Sequence, residues 1–312
     1  MNKIKYCFFT NDVETTSIVN NNLSKKTGEK VLKEGMPLLL ELYDKYNVKA
    51  TFFFNGDIVR LFPEVVKMIL PYGHEVASHG LTHEVDKAFD VLSLKEQIQH
   101  LDKSKKMLED ISGKEVISFR APALRVNEYT VEALEKTDYK IDSSMAPQRF
   151  DMFLSFGSIK KLKWLFAPRL PYKTSKKSLA QKGNSSITEI PISALFLPYI
   201  GTTLRIFPMA TSLLGKLLNI ENKLNSKPIN FLIHPNEFIN EKKEINIVLR
   251  RSKNFFSYIL ADVLRSKIKT KNLGKEALSI FEKEINYFKY KNYNLTTLNE
   301  FLIDKERKVY GK

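Results

Sequence analysis

Apolar residues along the first half of this chain alternate between two patterns. Short continuous runs at 5–10, 49–54, 74–78, 116–119 and 140–142 read as buried strands, separated by longer stretches with near-helical apolar spacing. Val31, Leu32, Leu38, Leu39 and Leu42 predict a helix over 29–46. Pro63 and Tyr72-Gly73 bound a second helix, and Ser93 with Glu96 forms a capping box before a long amphipathic helix ending near Ser112-Gly113. Another helix is predicted around 128–137. Beyond residue 145 the pattern degrades. Residues 145–186, with Pro147, Pro168 and Pro171, read as a long excursion, 186–190 and 229–233 as further strands, and the stretch after about 240 as helical, most clearly over 275–290. Strand alternating with helix implies parallel strands joined by right-handed crossovers, in either a barrel or an open doubly wound sheet.

At 312 residues, 43% hydrophobic and 27% charged, the chain has ample material for one large core. Strand-helix barrels often reach about 250 residues as one unit, so one catalytic domain with elaborations is expected. The expected division is a barrel over 1–240, including the excursion, and a helical, basic extension over 241–312 packed on it. The single cysteine, Cys7, lies in an apolar run and reads as a small buried hydrophobe, and one cysteine permits no disulfide within a chain. The first residues show no signal-peptide pattern, and no run of about eighteen apolar residues occurs. The expected location is therefore the cytoplasm, with peripheral contact to an anionic membrane.

A formal net charge of +15, densest over 160–182 and 242–291, suits acidic partners such as anionic headgroups, acidic glycans or phosphates; it equally suits a solubilising lysine surface. No recognition helix, zinc finger or RNA-binding motif accompanies the charge, so nucleic acid is not an expected partner.

The chemistry concentrates where predicted strands end. His79 and His83 follow the third strand four residues apart, and a helical turn there would bring both imidazoles to one divalent ion at about 2.0–2.1 Å. Gly80 stands where a zinc protease would carry its glutamate base, which removes that reading. The other strand ends carry Asp12 with Glu14, Arg120-Ala121-Pro122, Asp142-Ser143-Ser144, and His234-Pro235. Taken singly, each has an ordinary structural reading: Asp12 a helix cap, Arg120 a surface ion pair, Asp142 a turn residue, His234 a satisfied buried histidine. Five such ends together are harder to dismiss.

In that order these residues resemble the five motifs of the polysaccharide deacetylase family, the NodB-homology carbohydrate esterases. The resemblance covers about residues 4–236. It implies a distorted (β/α) barrel of about seven strands and a metal-dependent hydrolase that removes the N-acetyl group from an amino sugar of a cell-surface polysaccharide or its lipid-linked precursor. It further implies Asp12 as general base, His79 and His83 as metal ligands, Arg120 as the group that orients Asp12 and keeps it ionised, His234 as general acid, and Asp142 as the electrostatic partner of His234. Zinc is the expected metal, with iron, cobalt or nickel also suited to such ligands.

The first motif departs from the family pattern, which has two adjacent aspartates. Val13 takes the second place and Glu14 follows. In an extended strand, residues two apart share a side, so Glu14 is a candidate third ligand; an acidic helix-start residue, or Asp12 itself on the metal, are the alternatives. Loss of the ligand set at Val13 would instead leave a non-catalytic glycan-binding barrel. Of the remaining histidines, His74 is expected to pack at a strand start and His100 to sit on the amphipathic helix. Trp164 and nearby aromatic residues form either a sugar-stacking lid or, more simply, the excursion's own core.

Overall fold

The computed structural model describes residues 4–20, 22–148, 164–241 and 268–310. Strand β1 (Tyr6–Val13) is buried along its whole length and lies between β11 (Ile229–Ile233) and β2 (Thr51–Phe54), parallel to both. Parallel pairing continues through β3 (Glu75–Ser78), β4 (Ser118–Phe119), β5 (Ile141–Asp142) and β8 (Thr188–Glu189). The sheet curls until the chain beyond β8 meets β11, where Ser193 N donates to Asn230 O at 2.9 Å. Among the described residues the result is a seven-stranded distorted barrel, β11-β1-β2-β3-β4-β5-β8, settling the choice between barrel and open sheet.

Period-two alternation sorts β1 into two environments. Cys7, Phe9 and Val13 face outward into the large core between sheet and helices, while Tyr6 and Phe8 face inward, beside Phe53, Ala77, Ile141 and Ile190. Leu298 and Phe301 of a C-terminal helix (Leu298–Tyr310) close the base of this inner column. Each fully buried Phe contributes about 1.5–3 kcal/mol over the exposed state. Continuing up the same inward row come Thr10, Asp12 and Glu14, so one strand passes from apolar plug to polar mouth.

The helices pack outside. α1 (Lys25–Lys30) and α2 (Met36–Lys45) form the predicted first helix, joined through a π-turn at Val31–Gly35. Pro37 has no N–H to donate four residues back, and the wider turn accommodates its ring. The predicted second helix is broken into α3 (Gly56–Leu61), α4 (Glu64–Lys67) and a 3₁₀ turn at Leu70–Tyr72; it starts earlier than predicted because Asn55 caps the Asp57 N–H. α5 (Leu94–Ser112) carries the predicted capping box and ends at Gly113, and α6 (Thr130–Lys136) follows.

The excursion holds an unpredicted hairpin, β6 (Tyr172–Ser175) and β7 (Ser178–Lys182), whose first strand runs antiparallel to β8. A second small hairpin, β9 (Ala194–Leu195) and β10 (Leu197–Pro198), leads into α7 (Gly201–Ile206) and α8 (Pro208–Asn225). Residues 149–163 of the excursion and 242–267 of the basic extension lie outside the described residues.

From the remainder of the extension, α9 (Lys275–Tyr290) sets Phe281 against Phe9, Tyr43, Phe231 and Phe238, with ring centroids 5.3–6.1 Å apart. β12 (Asn294–Leu295) then pairs with the start of β1, and α10 is the helix at Leu298–Tyr310. No helix among the described residues is long and apolar enough to cross a membrane.

Candidate metal and catalytic site

The carboxyl ends of β1, β3, β4 and β11 bring Asp12, Glu14, His79, His83, Arg120 and His234 to one mouth. Arg120 lies fully buried beneath it, with its guanidinium 4.3 Å over the Phe53 ring. Its Nη1 donates to Asp12 Oδ1 at 2.7 Å, Nη2 to Thr10 Oγ1 and Ser143 Oγ, and Nε to the Ser143 carbonyl. Held on one oxygen, Asp12 presents the other to both His79 Nε2, at 3.8 Å, and His234 Nε2, at 3.9 Å. Burial alone would raise the Asp12 pKa, but Arg120 and the two imidazoles outweigh it and hold the carboxyl below its usual range. Asp12 is thus ionised and aimed.

His79 and His83 converge without the helical turn expected from their spacing. The segment is a loop, and Gly80 in it has φ +70°, a conformation that favours glycine. Gly80 O accepts from Gly56 N at 2.9 Å, and Thr82 Oγ1 donates to Asp57 Oδ2 at 2.7 Å, which ties the loop to the start of α3. His79 Nδ1 donates to the Arg120 carbonyl at 2.8 Å and so leaves Nε2 with a free lone pair.

Glu14, His79 and His83 offer ligand atoms all within 4.8 Å of one another. Glu14 Oε2 is buried and lies 2.9 Å from His83 Nε2, yet makes no hydrogen bond there. Two electron-rich atoms turned toward each other in this way fit a shared cation, and two imidazoles with one carboxylate are a donor set for a catalytic divalent ion. Burial would raise Glu14, but His83, His234 and His79 bring its pKa down to about 2, so the carboxylate is charged at any pH where the imidazoles are free to bind metal.

Residues 26–141 match the family model described as polysaccharide deacetylase. They include His79, His83 and Arg120. Over 116 residues the chain is 36% identical to a peptidoglycan deacetylase of Helicobacter pylori, and over 116 residues 34% identical to a peptidoglycan deacetylase-like protein of Gibberella zeae. Over residues 26–141 this chain is similar to the polysaccharide deacetylase family.

These alignments take in 37% and 36% of this chain and span only 39% and 33% of the two relatives. Among solved structures, a Mycobacterium smegmatis protein described as a polysaccharide deacetylase superposes with a TM-score of 0.55 at 18% identity, covering 76% of this chain and 79% of that one. An allantoinase superposes at 0.58 and 13% identity over 95% and 88% of the two chains. At such identities the likeness is one of fold.

The expectation that Asp142 partners His234 is corrected. Asp142 accepts from Ser144 N and Ser144 Oγ, both at 2.9 Å, and lies beside Glu189 under the Arg120 layer. Burial raises both carboxyls, Glu189 more strongly. The residue that faces His234 is Glu237, whose Oε1 lies 3.3 Å from Nδ1, while Arg205 Nε binds its other oxygen. Sequence reasoning missed Glu237 and Arg205. The signal for Glu237 was present: a carboxylate three residues after His234, across Pro235, closes back in a single 3₁₀ turn. Gly201 makes room for it, since a Cβ there would stand 2.4 Å from Glu237 Oε1.

Burial disfavours a charged His234, yet Glu237, Glu14 and Asp12 hold its pKa up at about 9. It is therefore cationic at neutral pH and loses its proton as pH rises through that value. In metal-free protein, an NMR titration is expected to place His234 near 9, and Glu237→Gln to lower it; a wild-type value near 6.5 would contradict the pairing. The sign for stability follows: the contribution is complete below about pH 6.5, the unfolded value, and disappears as pH climbs through 9.

The remaining sequence candidates are structural. His74 is buried with Nδ1 accepting from Ala50 N at 3.2 Å, and burial brings its pKa down to about 4, keeping it neutral. His100 packs its ring edge toward Phe89 on α5, and Trp164 is buried within the main core.

Proposed function

We propose that this chain hydrolyses the N-acetyl group of an amino sugar in a cell-surface glycan, peptidoglycan or a lipid-linked precursor of it being the first substrates to try, and releases acetate. The observation that carries the reading is the position of Asp12: one oxygen clamped by Arg120, the other facing His79 and His234 beside a three-donor metal set. Glu14, His79 and His83 would hold a divalent cation, zinc by preference, with iron, cobalt or nickel also compatible. What such a cation supplies when bound is an acidified water and a polarised acetyl carbonyl.

The chain's own groups divide the proton work. Asp12, ionised, takes a proton from the attacking water through Oδ2. Arg120 keeps that carboxylate charged and orients it through one hydrogen bond, while three more, to Thr10 and Ser143, anchor the guanidinium. His234, cationic at neutral pH, gives its proton to the departing amine, without which an amide nitrogen is a poor leaving group. Glu237 and Arg205 position the imidazole from behind. The side chains of His83 and His234 are 22% and 25% exposed whereas Asp12, Glu14 and His79 are below 8%, so substrate reaches the site over the two histidines.

Zinc-loaded protein should release acetate from oligomers of N-acetylglucosamine or from peptidoglycan, lose that activity on chelation, and regain it with zinc or cobalt. Absence of acetate from metal-loaded protein that still binds the glycan would instead support the non-catalytic barrel.

A further inference from the structure

Helix α8 has two apolar faces. Thr211, Leu214, Leu218 and Asn222 are buried against the barrel. On the opposite side Met209 is 88% exposed, Leu213 57%, Leu217 43%, Ile220 52% and Leu224 82%. Steps of four, four, three and four residues place these five on one continuous stripe. The charged residues exposed on the helix are Lys216 and Lys223; its single carboxylate, Glu221, is turned aside to Arg169 and Lys227.

The helix runs from mouth to base. At its leading end α7 meets Glu237, and at its trailing end Lys223 and Ser226 line a cleft of about 890 Å³ at the amino ends of β1 and β12. Lys5 and Lys289 line the same cleft together with four asparagines, and no aspartate or glutamate does. Ile4, 52% exposed, stands at its edge.

We propose that this flank of the barrel docks on an anionic bilayer, with the α8 stripe among the acyl chains and the lysine-lined cleft over phosphate headgroups. An apolar stripe bordered by cations and lacking exposed carboxylates is the chemistry of a helix lying in a membrane interface. The net charge of +15 adds a long-range attraction of the same sign. The contact proposed is a peripheral one; no helix among the described residues is long and apolar enough to cross a membrane. At 18 residues the helix is about 27 Å long, so docking along it lays the barrel on its side and opens the mouth parallel to the membrane plane. The proposal stands apart from the reaction assigned to the mouth.

The test is co-sedimentation of the full chain with vesicles of phosphatidylcholine alone and of phosphatidylcholine mixed with phosphatidylglycerol. Binding is expected only to the anionic vesicles, weakening as salt is raised. A triple variant, Met209→Ser with Leu213→Ser and Leu217→Ser, should stay folded and monomeric, lose at least about tenfold in vesicle affinity, and keep its acetate release from a soluble oligosaccharide. Lys5→Glu with Lys223→Glu should weaken binding as well. Equal binding to both vesicle types, no binding to either, or an unaffected triple variant would overturn the proposal. So would a wild-type dimer that the triple variant splits, since a second copy would then cover the stripe. A triple variant that melts below the wild type would do the same, because another part of this chain would then cover it.

Discussion

Asp12→Asn is expected to slow acetate release by about 10²–10⁴-fold, the range over which a positioned general base contributes, while leaving one metal ion per chain. Asparagine has nearly the same shape, so its Oδ1 can still accept from Arg120 Nη1 and the mouth keeps its outline. What disappears is the basic oxygen between His79 and His234. Arg120 loses its one charged partner but retains Thr10 and Ser143 as acceptors, and removal of one member of a buried ion pair costs about 3–5 kcal/mol. The variant should therefore melt at lower temperature and be assayed where near-UV circular dichroism shows it folded. Turnover within a few-fold of wild type under those conditions would mean that another group takes the water's proton.

The order of strands and helices through residue 142 was legible because buried parallel strands are short apolar runs and the helices between them keep a 3.6-residue period. The placement of Asp12 and Glu14 on one side of β1, with Val13 on the other, follows from strand parity alone. Chemistry between distant segments was less legible. Parity says which way a side chain points, but not which partner a ring nitrogen meets, so Asp142 was assigned to His234 when Glu237 stands there. The convergence of His79 and His83 was inferred from helical spacing, whereas a glycine-kinked loop achieves it. Helix α8 escaped notice because apolar residues on both its faces blur the amphipathic period. The β6–β7 hairpin was hidden by its lysines: Lys173 and Lys182 are exposed, and its buried positions, Tyr172, Thr174 and Leu179, are too few to show an apolar alternation.

Whether Glu14 is the third ligand separates a working metal centre from a degraded one, and Glu14→Gln isolates the question. The amide is neutral, and its N–H₂ would lie where Glu14 Oε2 now lies, 2.9 Å from His83 Nε2, occupying the lone pair that a metal needs. Removing a ligand should cost more than the 10- to 100-fold typical of losing a group that merely supports one. The decisive measurement is zinc affinity by isothermal titration of wild-type and Glu14→Gln protein. The account predicts one tight site per wild-type chain and a loss of at least about 100-fold in the variant; a variant that binds one zinc as tightly as wild type would remove Glu14 from the metal and leave Asp12 as the carboxylate that holds it.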